Sequence, residues 1–264
     1  MIQKKYLLPL ILCFWNALGF SQNTIPSEKL DSNAWEIDNY LGFDNQKNQY
    51  GIKNNVVIKR STTDFEYKNI GRGKISHIDF QNPLQIIVFY KDFNTVVLLD
   101  NQLNEIKRID FNLKPELIQL EAVGLSAQNQ LWIYDGITNK IGLYNITNDH
   151  LKWISTPIKS GINKYFSDYT FFYWIDVNNQ LFSSSIYGTI NRIGTVPKHN
   201  KMQLLSNSTA LYSYENEIYF YEITKERSSK IKLTENFVDN FFFKDGILAI
   251  FTQNKITNYK LILP

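Results

Sequence analysis

The chain has one cysteine, two methionines, three histidines and seven prolines in 264 residues. The cysteine, Cys13, lies inside an N-terminal segment that reads as a removable leader. The remaining chain therefore excludes thiolate nucleophiles, zinc–cysteine sites, thiol redox work and disulfide staples. Long-range disorder and collagen need a different residue balance, and 44% hydrophobic residues in a chain of this length can bury a core without staples. Charge of one sign is also missing. Lys and Arg number 28 against 25 Asp and Glu, a net +3 that is too even for a nucleic-acid footprint. No GxGxxG, GxxxxGK[ST], HExxH, GxSxG or EF-hand loop occurs, and His77, His150 and His199 match no metal spacing. Gly71-Arg72-Gly73-Lys74 reads as a turn entering a strand, and the sequons at Asn145 and Asn207 read as turn and strand residues.

One long apolar run exists. Lys4 and Lys5 give a positive start, residues 6–20 are uncharged and mostly apolar, and Gly19 and Ser21 place small residues where a signal peptidase reads. The run is short for a membrane-spanning helix. The expectation is a signal peptide over 1–21, cleavage after Ser21 and a single domain over 22–264. Cys13 follows Leu12 rather than a small residue and precedes eight further leader residues, so no lipid anchor is expected. Cleavage leaves 26 basic against 25 acidic residues. The product is expected to be exported (periplasmic, outer-membrane-associated or secreted), with no transmembrane segment after cleavage.

Beyond the leader, alanine occurs only at positions 34, 122, 127, 210 and 249, while Ile, Val, Thr, Tyr and Phe abound. That balance suits pleated surfaces rather than helices. Short apolar runs such as IIVFY (Ile86–Tyr90), TVVLL (Thr95–Leu99), QLWIY (130–134), KIGLY (140–144) and ILAIF (247–251) are bounded by Asn, Asp, Gly and Lys. The fold class is all-β. The stretch from Ile86 repeats from Leu131 and, more loosely, from Phe171; Trp132 and Trp174 stand 42 residues apart, Asp100 and Asn145 45 apart. A period near 40 with three or four antiparallel strands per unit is that of a β-propeller blade. Units fall near 36–70, 71–113, 114–157, 158–197, 198–235 and 236–264, giving six blades, or five if the fourth and fifth are misdivided. The last unit has only three strands, so residues 23–35 are expected to close the ring by donating the fourth.

In period and turn pattern the repeat resembles the six-bladed propeller superfamily with TolB-like and NHL-like repeats, over most of residues 36–264. The WD dipeptide and the Kelch glycine pair are absent. The segment NPLQIIVFYKDFNTVVLLDNQLNEI (82–106) resembles an exported bacterial family of unassigned role. The resemblance implies the fold and no activity.

An acid or amide recurs in each unit: Asp38, Asp79, Glu121, Asp168, Asn207 and Asp239, at intervals of 41, 42, 47, 39 and 32. If all six lined a central channel, the carboxylates Asp79, Glu121, Asp168 and Asp239 would form an oxygen-rich ring suited to Ca²⁺; otherwise they are turn residues. Trp132, Trp153, Trp174, Tyr144 and Tyr173 are either a ligand platform or the packing between blades. Two functions stay open. One is a non-catalytic binding module that offers a loop face to a protein or glycan partner at the cell envelope, with no cofactor. The other is a metal-dependent propeller hydrolase or lactonase with a carboxylate-lined channel.

Overall fold

The computed structural model describes residues 24–264. The expected leader and its cleavage site lie outside them. Among the described residues no helix is long and apolar enough to cross a membrane.

Six antiparallel sheets follow one another along the chain as six blades of a propeller. Their innermost strands are Asn39–Phe43, His77–Asp79, Leu120–Ser126, Lys164–Ser167, Lys201–Leu204 and Asn240–Lys244, one for each of blades 1 to 6. Apart from the N-terminal strands added to blades 5 and 6, every sheet falls inside the unit that the repeat assigned to it, so the count is six and not five. Blades 1 to 4 are complete four-stranded meanders.

The continuous apolar runs have a simple cause. In blade 2, Ile86, Val88 and Tyr90 join the core shared with blade 1, while Ile87 and Phe89 join the core shared with blade 3. Val97 and Leu99, against Val96 and Leu98, divide in the same way. Alternate side chains point to opposite faces of a strand, and here both faces are covered, so no polar alternation survives. Six hydrophobic clusters result, one at each of the six blade-to-blade interfaces, including blade 6 against blade 1.

Closure occurs as the missing strand demanded. Blade 6 supplies Asn240–Lys244, Ile247–Thr252 and Lys255–Leu261, and Ser27–Ala34 pairs antiparallel with the last of these from Ser27↔Leu261 to Ala34↔Lys255. The sequence did not foretell a second attachment. Thr24–Ile25 pairs in parallel with Arg227–Ile231, the outer strand of blade 5. Ile25 is buried in the core between blades 5 and 6, and Ser27 Oγ donates to Lys232 O at 2.5 Å. The N-terminal segment thus fastens two blades.

Turn chemistry explains the recurring Asp. Asp44, Asp100 and Asp176 each accept from the backbone N–H groups two and four residues later, at 2.8–3.0 Å. The residue three positions on, Lys47, Leu103 or Asn179, adopts a left-handed φ of 66°, 61° or 58°. The carboxylate supplies an acceptor for backbone N–H groups that a tight loop would leave without a partner.

Candidate functional site

The inner strands surround a central channel. One cavity of about 450 Å³ opens where these strands begin, the upper mouth, and one of about 430 Å³ where they end, the lower mouth. His77, Ile78, Phe80, Tyr165, Gln203 and Phe242 border both. Phe80 and Phe242 lie 5.8 Å apart by ring centroid and His77 and Tyr165 5.2 Å, making an aromatic throat between the mouths.

The recurring acids do not form one ring. Asp38 and Asp239 immediately precede their inner strands and Glu121 is the second residue of its own, so these three stand at the upper end. Asp79 closes its strand, Asp168 follows its strand, and Asn207 lies three residues beyond, at the lower end. A strand rises roughly 3.3 Å per residue, so equal spacing along the sequence leaves these groups at unequal depths. Among the described residues, no three His, Cys, Asp or Glu side chains are grouped as a metal ion would require.

Each of the four proposed ligands has a local task instead. Asp79 is buried and accepts from Gln81 N (3.0 Å), Gln81 Nε2 (3.0 Å) and, across the blade interface, Leu125 N (2.8 Å). Asp168 accepts from Thr170 N and Phe171 N at 2.7 Å, and Tyr173 OH lies 3.0 Å from its second oxygen. Burial and the Asp168 charge raise the Tyr173 hydroxyl pKa, keeping it a donor. Glu121 pairs with Lys91 of the neighbouring blade. Asp239 accepts from Gln253 N at 2.9 Å, and Asp38 performs the same service for Asn54 N at 2.6 Å. Trp132, Trp174, Tyr144 and Tyr173 are buried, and Trp153 packs against the core between blades 2 and 3. Packing accounts for the aromatic excess.

Sequence reasoning missed the lysines. Lys164 and Lys201 are the first residues of the inner strands of blades 4 and 5, and both border the upper cavity. Burial, and then the neighbouring charge of Lys164, push the Lys201 pKa down to about 8. Burial also lowers Lys164. Lys201 Nζ donates to Asn240 Oδ1, while Asn240 Nδ2 donates to Asn39 Oδ1 (2.9 Å) and Tyr40 O (2.5 Å). Lys164 Nζ donates to Asn200 O at 3.3 Å. Neither lysine forms an ion pair among the described residues, and no Asp or Glu borders the upper cavity. Asp79 and Asp168 border the lower one. The available signal was positional: lysine at the same strand position in consecutive blades, 37 residues apart. His77, midway, is held below the usual histidine pKa by burial, against the opposing pull of Asp79.

Exposed apolar side chains provide a second feature. Ile70, Phe93, Leu113, Leu117 and Ile137 all stand on the upper face of blades 2 and 3, in connections into inner strands or between second and third strands. Ile70, Leu113 and Leu117 are 82–86% exposed. Their loops are braced. Arg72 Nη1 donates to Thr95 Oγ1 (3.1 Å), Asn112 Nδ2 to Phe93 O (3.0 Å), Gln119 N to Asp135 Oδ1 (2.8 Å) and Gly136 N to Gln119 O (2.8 Å).

No protein-family profile matches this sequence, nor does any curated protein. Solved structures share its fold. A streptogramin B lyase is similar at 16% identity over 84% of this chain and 78% of its own, with a TM-score of 0.55. A member of the DUF4221 family from Bacteroides vulgatus is similar at 10% identity, over 91% of this chain and 99% of its own, at 0.56. BBS1N in complex with ARL6DN gives 12% identity over 81% and 74%, at 0.51. At these identities the likeness is one of fold alone.

Proposed function

We propose that this protein is an exported, non-catalytic binding module that presents the upper face of blades 2 and 3 to a protein partner at the cell envelope. The observation that carries the reading is the group of five exposed apolar side chains on braced loops of that one face. Isolated exposed apolar residues are ordinary, whereas several on one face favour a protein contact. A glycan would call for polar groups and flat aromatic rings there, and Phe93 is the only aromatic of the five. Bracing keeps the loops in one conformation, which lowers the entropy lost on association. Export follows the charge and apolar pattern of residues 1–21. Among similar folds, one solved structure is named a lyase and another is in complex with a second protein. The carboxylates are engaged in turns, one ion pair and a blade contact, and that arrangement favours the binding module over the hydrolase.

The test is capture from an envelope extract by cross-linking, with wild type beside Leu113→Ser/Leu117→Ser/Ile137→Ser. The triple variant should lose the partner at least tenfold while keeping its melting temperature. Equal capture by the variant would overturn the reading. So would ester or lactone turnover by the wild type that Glu121→Gln abolishes.

A further inference from the structure

The upper channel mouth is a separate feature from the apolar face, and its chemistry specifies a ligand of its own. Two cations, Lys164 and Lys201, are brought together at the rim of a cavity that contains no carboxylate. Folding desolvates both and sets one beside the other, so an apposed anion would be favoured. Asn39 and Ser76 add polar contacts at the same rim. Below them the walls turn apolar, with Ile78, Phe80 and Phe242 leading into the throat. Past the throat stand Asp79 and Asp168 with Lys244, a net negative set that would repel a second negative charge. The channel therefore has a cationic rim, an apolar middle and a far end of net negative charge.

We propose that the upper mouth binds a small amphipathic monocarboxylate, its carboxylate held by Lys164 and Lys201 and its apolar body directed into the aromatic throat. A cavity of about 450 Å³ lies within the range of ordinary small-molecule sites, which are mostly apolar with a few polar groups fixing orientation. The single charge is required because the two ends of the channel carry opposite signs. The apolar body is required because the lysines lead into aliphatic and aromatic walls. Inorganic phosphate would satisfy only the rim.

The experiment is calorimetric titration of the wild-type protein with three eight-carbon probes: octanoate, its neutral amide octanamide, and the dianion suberate. Octanoate should bind and raise the melting temperature, with the other two at least tenfold weaker. Inorganic phosphate should compete only weakly. Lys164→Gln/Lys201→Gln should lose octanoate affinity at least tenfold while melting, without ligand, no lower than wild type. The proposal is overturned if octanoate does not bind at millimolar concentration. Amide or suberate binding within twofold of octanoate, phosphate binding as tightly as octanoate, or an unchanged affinity in the double variant would each overturn it too. Should that variant not fold, the probe comparison on the wild type decides alone. The Leu113, Leu117 and Ile137 substitutions lie outside this cavity, so failure of the partner contact and failure of this site are distinguishable.

Discussion

At the scale of the residue, two positions show how tightly the channel wall is drawn. A Cβ on Gly124, in the inner strand of blade 3, would lie 1.9 Å from Ser167 Oγ and 2.9 Å from Ser167 Cβ in blade 4. Gly124→Ala should therefore cost about 1–3 kcal/mol in urea unfolding, the usual penalty for overpacking. Adding Ser167→Gly should recover most of the loss, giving the large coupling expected of touching residues. Lys201 yields a pH prediction. Its folded pKa of about 8 lies below the ordinary 10.5, so between those values the unfolded chain holds a proton that the folded one has released. Stability gained from this group thus rises with pH across that window, and the cost of burying the charge is constant below it. Lys201→Met should be more stable than wild type by about 1–3 kcal/mol at pH 7, with the difference shrinking as pH rises through 8 towards 10. Asn240 retains its bonds to Asn39, Tyr40 and the Phe241 N–H in that variant. A difference independent of pH would show that the Lys201 charge is not strained by folding.

At the scale of the element, the middle strands could be read from the sequence because both of their faces are buried between blades. The N-terminal strand could not be read that way. SEKLDSNA is polar, and seven of its eight residues are exposed in the folded chain. Only the shortage of a strand in the last blade pointed to it. Ser27–Ala34 is held chiefly by its ladder to Lys255–Leu261, with Ser32 Oγ and Thr257 Oγ1 3.0 Å apart and Asn258 Nδ2 donating to Asp31 at 2.8 Å. Deleting residues 24–34 removes that ladder, the parallel pair on blade 5 and the buried Ile25 together. The truncated protein should melt at least 10 °C lower and aggregate through the bared edge of Lys255–Leu261. An unchanged melting temperature would show that the blade cores alone close the ring.

At the scale of the whole molecule, the ring joins first blade to last, since the core between blades 6 and 1 unites Tyr40 and Phe43 with Ala249 and Phe251. A linear repeat array can fray from its ends, but a ring with a core at every junction leaves no terminal blade to fray. Thermal unfolding of the intact protein should be one calorimetric transition, its van't Hoff and calorimetric enthalpies agreeing. Two resolved transitions would show that the blades unfold separately.

The sequence by itself determined the class, the blade period and the need for a borrowed strand, and it narrowed the count to six or five. All of these depend on short-range regularities: apolar runs of strand length, Asx turns between them, and a unit with one strand too few. It also marked the acids correctly as recurring, yet recurrence along a chain does not specify depth in a channel. Depth depends on where each inner strand starts and stops, and those ends differ by several residues from blade to blade. Only the tertiary structure could send Asp79 and Asp168 to the lower mouth, leave Glu121 and Asp239 at the opposite strand ends and outside either cavity, and set Lys164 beside Lys201. Such pairings join residues tens of positions apart, and they follow from how the blades close, which no local pattern encodes.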